Sequence, residues 1–183
     1  MSSFPKRISS SPPGDPMATW DRPLRVQFIH GLQMGPSLKA AYLDRFFEAL
    51  SPEMDTSDFE GSVALQATHA AEFAPDVLVG SSFGGAVALA LLQRGLFRGP
   101  TALLAPAHGF YGVPARIPDE QRVLIVHGVR DDVVPIDGSR ELSRTGTPGL
   151  VELVEVEDEH RLRSLLEGDA FAALVRRTLL IQR

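Results

Sequence analysis

Gly80-Ser81-Ser82-Phe83-Gly84 sets a serine between two glycines, one two positions before it and one two positions after. This spacing suits a nucleophile held on a sharp, strained strand-to-helix turn, where flanking side chains would keep strand and helix apart. Ser82 fits the pattern, whereas Ser81 would have Val79 and Phe83 in the flanking places. The chemistry implied is attack of a hydroxyl on a carbonyl. Such attack needs a base to take the proton and an acid to orient the base. His160 supplies a candidate base, directly after the acidic run Glu155 to Glu159. The candidate acid lies in His127-Gly128-Val129-Arg130-Asp131-Asp132-Val133-Val134-Pro135, where Asp131 and Asp132 compete for the role. Serine, then aspartate, then histidine is the chain order that such a turn calls for.

Each piece has a plainer reading. A five-residue match arises by chance in roughly one sequence in ten of this composition. Asp and Gly favour polar turns, and a lone loop histidine is usually a surface residue. The elements around the motifs therefore decide. Val77-Leu78-Val79 predicts a strand before Ser82, and Phe83 to Arg94 predicts a helix after it, ended by Gly95. Val123 to Val126 predicts a strand leading into the Asp131 segment, and Val151 to Val156 a strand before His160. The helix N-terminus at Phe83 offers a free amide to a developing oxyanion. Leu32, in His30-Gly31-Leu32-Gln33 after a first strand Val26 to Ile29, offers the second. Glycines 80 to 85 are not followed by Lys-Ser or Lys-Thr, which excludes a phosphate-binding P-loop.

The remaining histidines suggest no metal site. His30 and His127 each end a strand before a glycine and read as structural; His69 on a helix and His108 in a loop read as surface or wall residues. No cofactor is expected.

Further elements complete the frame. Ser37 is positioned to cap a helix running to about Leu50, and Ser62 to Phe73 predicts a helix stopped by Pro75. Met54 to Phe59 and Thr101 to Leu104 are further strand candidates. Asp137 suggests a cap for a helix ending at Gly146, and helical stretches flank Gly168, the second capped by Asp169. Apolar strands alternating with helices predict an α/β domain: a mostly parallel sheet of about six strands with helices on both faces. Ligands bind beyond the carboxyl ends of such strands.

Bulk properties narrow the classes. In 183 residues, 44% are hydrophobic and 22% charged, as in an ordinary globular domain. The Ser-, Pro- and Gly-rich stretch 1–22 reads as an unstructured tail, and 23–183 as one domain. A net charge of -5 without a basic cluster gives no reason to expect nucleic acid or a membrane surface. The absence of cysteine removes disulfides and thiolate chemistry, and no apolar segment follows Lys6 and Arg7 as an export signal would require. A cytoplasmic protein is the expectation; its oligomeric state is not legible.

His30-Gly31, Gly80 to Gly84, His127-Gly128 leading to Asp131 and Pro135, and finally His160 together resemble the α/β-hydrolase superfamily from about Arg25 onward. The short chain and the stretch His30 to Ala40 resemble, within it, small bacterial esterases of the YqiA/YcfP type. The resemblance implies Ser82 as nucleophile, His160 as general base and Asp131 as acid, since the family's acid usually stands four residues before the motif's proline. It also implies the amides of Leu32 and Phe83 as the oxyanion hole. Two departures stand out. The family's initial antiparallel strands are not evident, and the region after Leu104 is short and broken by Pro106, Pro114 and Pro118. A lidless, open pocket bounded by Met34, Phe110 and Tyr111 is expected, suited to small soluble esters or thioesters. The alternative is a hydrolase-fold binding or regulatory protein without turnover.

Overall fold

The computed structural model describes residues 22–32 and 37–182. The expected tail lies outside these residues except for Arg22, whose guanidinium meets Asp76 Oδ1 at 2.7 Å. Six strands form one sheet in the order β2-β1-β3-β4-β5-β6. They are β1 (Arg25–Ile29), β2 (Glu48–Leu50), β3 (Val77–Ser81), β4 (Thr101–Leu104), β5 (Val123–Gly128) and β6 (Val151–Val156). Every neighbouring pair is parallel. Between and after them run α1 (Leu38–Leu43), α2 (Phe59–Phe73), α3 (Phe83–Gln93), α4 (Ile136–Leu142) and α5 (Ala170–Leu180), with short 3-10 turns at His108–Tyr111 and Arg163–Leu166.

Alternation along the strands builds two cores. Val26, Phe28, Val77, Val79, Ala102, Leu104, Leu124 and Val126 face the layer of α1 and α5, against Tyr42, Leu43, Phe171 and Val175. Ile29, Leu78, Leu103 and Ile125 face the layer of α2, α3 and α4, against Val63, Phe83, Val87, Leu91 and Leu142. Both faces of the central strands are therefore covered, which is why these segments read as unbroken apolar runs.

Some boundaries differ from the sequence expectation. α1 begins at the expected cap, with Ser37 Oγ accepting from Ala40 N at 3.3 Å, but ends at Leu43. The apolar spacing beyond it belongs to an aromatic cluster, where Tyr42 and Phe46 stack at 4.8 Å, and Leu50 pairs with Gln27 in the sheet. β2 thus replaces both the end of the expected helix and the expected strand at Met54–Phe59. There, Asp58 Oδ1 accepts from Gly61 N at 2.8 Å and starts α2 at Phe59. Asp137 lies in the first turn of α4 rather than at its cap, which is Pro135, and α4 ends at Leu142. Asp169 occupies the cap position of α5, but its side chain bonds none of the helix's amides.

From β1 the chain moves to one side to form β2, then returns to form β3 on the other side of β1. This reversal opens a crevice beyond the carboxyl ends of β1 and β3. Gly31-Leu32 and Ser82 leave the sheet there.

Candidate functional site

Ser82 holds a backbone conformation that an ordinary side chain avoids, with φ 55° and ψ -114°. Such a residue costs on the order of 1–3 kcal/mol and persists only where its surroundings over-determine it. Its N–H donates to Leu104 O at 2.9 Å, and its carbonyl accepts from Gly85 N at 2.9 Å and Ala107 N at 3.0 Å. The neighbouring glycines leave no room for anything larger. A methyl group on Gly80 would strike the Gly84 carbonyl, one on Gly84 would strike the Ile29 carbonyl, and one on Gly85 would lie 2.8 Å from Pro106 Cα.

The loop after β1 passes against the same turn. A Cβ on Gly31 would stand 3.0 Å from Ser81 O and 3.1 Å from Ser82 Cβ. This brings Leu32 to the elbow. Among the described residues, the backbone amides of Leu32 and Phe83 have no acceptor.

His160 joins the elbow to the β5 loop. Ser82 Oγ lies 2.9 Å from His160 Nε2, and His160 Nδ1 lies 2.8 Å from Asp131 Oδ2. With the proton on Nδ1, the ring accepts from the serine and donates to the aspartate. Asp131 Oδ1 accepts from Val133 N at 2.9 Å and from Val134 N at 2.8 Å. Burial pushes the Asp131 carboxyl up, but the Val134 amide, His160 and the Val133 amide outweigh it and hold the group below the ordinary carboxylate value. Asp132, its sequence competitor, is exposed.

The loop carrying His160 is held by contacts that its acidic composition conceals. Gly128 packs on the carbonyls of Asp158 and Glu159, where no side chain would fit. Val129 N donates to Val156 O at 2.9 Å, and Arg130 N donates to Asp158 O at 3.0 Å. Asp158 in turn accepts from Ser164 Oγ at 2.6 Å. Part of the acidic run thus ties the loop down.

His127 is buried, as its reading as structural anticipated, but it also reaches the site. Its Nδ1 lies 2.7 Å from Ser139 Oγ, while its Nε2 lies 2.9 Å from Val134 O and 3.0 Å from Asp131 Oδ2. His30 Nδ1 bonds the Gly31 carbonyl at 2.9 Å. His108, expected as a surface or wall residue, lies neither at the surface nor among the residues lining the cavity. It is buried beneath the 3-10 turn with Nδ1 3.2 Å from Pro106 O, and burial lowers its pKa. His69 is half-buried on α2. No group of three metal-ligating side chains occurs among the described residues.

The pocket walls need correction. A cavity of about 800 Å³ opens beside Ser82 and His160. Leu32, Leu38, Lys39, Val133, Arg161 and Leu166 line it, but Phe110 and Tyr111 do not. Phe110 is 64% exposed. Tyr111 instead fills the space behind the elbow, stacked on Phe59 at 5.4 Å and edge-on to Phe83 at 4.9 Å. Met34 lies outside the described residues. The walls come from α1 and the turn after His160, segments whose convergence has no local sequence signal. No helix among the described residues is long and apolar enough to cross a membrane.

The parallel sheet, its reversal at β1 and the elbow after β3 define an α/β-hydrolase fold. Solved structures of that fold superimpose on most of the chain. A protein assigned to the alpha/beta superfamily of hydrolases from Xanthomonas campestris pv. campestris matches at 20% identity and TM-score 0.64, covering 84% of this chain and 96% of its own. The esterase domain of a Rhodothermus marinus protein matches at 18% identity and TM-score 0.60, over 84% and 86%. A meta-cleavage product hydrolase from Pseudomonas fluorescens IP01, solved with acetates, matches at 17% and TM-score 0.62, over 85% and 90%. No family model matches the sequence, and no curated relative is similar to it at the sequence level.

Proposed function

We propose that this chain is a serine hydrolase that cleaves carboxylic esters, thioesters included, through an acyl-enzyme. One observation carries the reading: a single imidazole spans the Ser82 hydroxyl at 2.9 Å and the Asp131 carboxylate at 2.8 Å, beside an open cavity. In this reading, His160 takes the Ser82 proton as Oγ attacks the ester carbonyl. The amides of Phe83 and Leu32 receive the oxyanion. His160 then protonates the leaving alcohol or thiol, and the acyl group remains on Ser82. A water molecule, deprotonated by the same ring, releases the acid and restores the hydroxyl. Asp131 holds the tautomer with Nδ1 protonated and stabilises the imidazolium. An esterase domain among the structural neighbours favours the same class of reaction. The likeness of His30 to Ala40 to small esterases of the YqiA/YcfP type points the same way.

The test is direct. The purified chain should be labelled by a fluorophosphonate probe and should turn over p-nitrophenyl acetate. Ser82→Ala should abolish both while the far-ultraviolet circular dichroism stays unchanged. A folded protein that neither reacts with the probe nor hydrolyses the ester refutes the proposal and leaves a binding role for the fold.

A further inference from the structure

We infer that the ester cleaved at Ser82 carries an acid group, carboxylate or phosphate, that is received by Arg161 and Arg163 at the mouth of the cavity. The inference rests on the hydrolase reading and names its substrate class.

The lining of the cavity is one-sided in charge. Lys39, Arg161 and Arg163 line it, and among the described residues no aspartate or glutamate does. This occurs in a chain whose formal charge is -5, where carboxylates outnumber cations.

The two arginines also differ from many others in the molecule. Arg22, Arg25, Arg94, Arg130, Arg140 and Arg177 each pair with a carboxylate. Arg161 and Arg163 are exposed and meet no carboxylate among the described residues. Nearby acids are already engaged. Asp158 is taken by Ser164 and the Glu159 amide, and Asp131 by His160 behind the ring. Lys39 donates to the Arg161 carbonyl at 2.8 Å, so it braces the backbone that presents the arginine. A planar guanidinium lining the same cavity as Ser82, with no carboxylate partner among the described residues, is suited to bind a carboxylate or phosphate through two parallel hydrogen bonds.

The rest of the cavity suits the body of such a molecule. Leu32, Leu38 and Val133 line it and are 61%, 69% and 54% exposed. An acid ester would lay its hydrocarbon part on these side chains and its anion on the arginines. Neutral short esters would use only the apolar contacts.

The anion could stand on the acyl side or on the leaving-group side, and two ester pairs separate these. The acyl pair is p-nitrophenyl hydrogen succinate against p-nitrophenyl butyrate, where a carboxylate replaces the terminal methyl. The leaving-group pair is 4-acetoxybenzoate against its methyl ester. Each kcat/KM is divided by the ester's alkaline hydrolysis rate to remove intrinsic reactivity. At low ionic strength the anionic member of one pair should be preferred about tenfold, as expected for two solvent-facing cations acting on one anion. Arg161→Gln and Arg163→Gln should each cut that preference several-fold, as should raising salt to about 0.5 M, where screening is strong. Arg144→Gln, the same charge change at an exposed site away from the cavity, should leave the ratio unchanged. Preference for the neutral member in both pairs, or ratios insensitive to Arg161 and Arg163, overturns the inference. Fluorophosphonate labelling in that case preserves the hydrolase reading. Failure to label Ser82 removes both.

Discussion

His127 Nε2 lies 3.0 Å from Asp131 Oδ2, the same oxygen that His160 Nδ1 approaches at 2.8 Å. The Asp131 side chain is fully buried, and it accepts from His160 Nδ1 and from the amides of Val133 and Val134. With its proton on Nε2, His127 donates to the Val134 carbonyl at 2.9 Å and accepts from Ser139 Oγ at Nδ1, and so holds the turn whose amides bind Asp131. His127 is therefore a positioning residue for the acid. Replacing it with Phe should lower kcat/KM about tenfold or more. The loss should fall on kcat rather than KM, because a displaced Asp131 no longer holds the His160 ring while the substrate contacts are untouched. Ser139→Ala should produce the same loss of kcat in weaker form. Full activity in both variants would show that His127 only fills space.

The two adjacent aspartates should separate cleanly. Asp131→Asn preserves shape but leaves His160 facing an amide in place of a carboxylate. The kcat should fall by about 10³–10⁴, the size expected when the ring loses its correct tautomer. Asp132 is exposed and touches neither ring, so Asp132→Asn should stay within about twofold. Rates measured at saturating p-nitrophenyl acetate decide the matter; similar losses in both variants would contradict the assignment.

The elbow makes a steric prediction. A methyl group at Gly84 meets the Ile29 and His30 carbonyls, backbone groups that cannot rotate away. Gly84→Ala should cost on the order of 3 kcal/mol and abolish fluorophosphonate labelling, because relief requires opening the turn at Ser82. Gly109→Ala is the control, since nothing lies within 4 Å of its added methyl. Urea denaturation of both variants measures the difference. Equal stability would mean that the turn is not tightly packed.

The sequence displays this site wherever function and local structure share a residue. Gly80 is required by the Gly84 carbonyl within its own motif, so there the string itself reports the geometry, whereas Gly84 and Gly128 answer to the carbonyls of Ile29 and Asp158, far away in sequence. The central strands, buried on both faces, announce themselves as apolar runs. β2 does not, because Glu48–Leu50 lies at the sheet edge, is only partly buried and follows an aromatic cluster that mimics helical spacing. The cavity walls were equally hidden. Tyr111 is apolar and close in sequence to a strand end, yet packing between Phe59 and Phe83 removes it from the cavity. Lys39 and Arg161 are 122 positions apart and meet only through the tertiary fold. His127 illustrates the mixed case: its burial was legible, its contact with Asp131 was not.

Lys39 should give the folded state a distinctive response to alkali. Burial lowers its pKa to about 8, with Asp158 opposing and Arg161 reinforcing the shift, against 10.5 for an ordinary lysine. Between these values the unfolded chain retains a proton that the folded chain has released. Stability therefore rises with pH across the window from about 8 to 10.5, and this group gives no slope below it. Lys39→Met keeps most of the apolar stem and removes the titration. The difference in unfolding free energy between parent and variant, measured in urea from about pH 7 to 10, should be flat at first and then move in favour of the parent above pH 8. Every other group is common to both proteins and cancels in that difference. A difference that stays constant through the window would mean that the Lys39 amine is solvated as in the unfolded chain, despite its 2.8 Å contact with the Arg161 carbonyl.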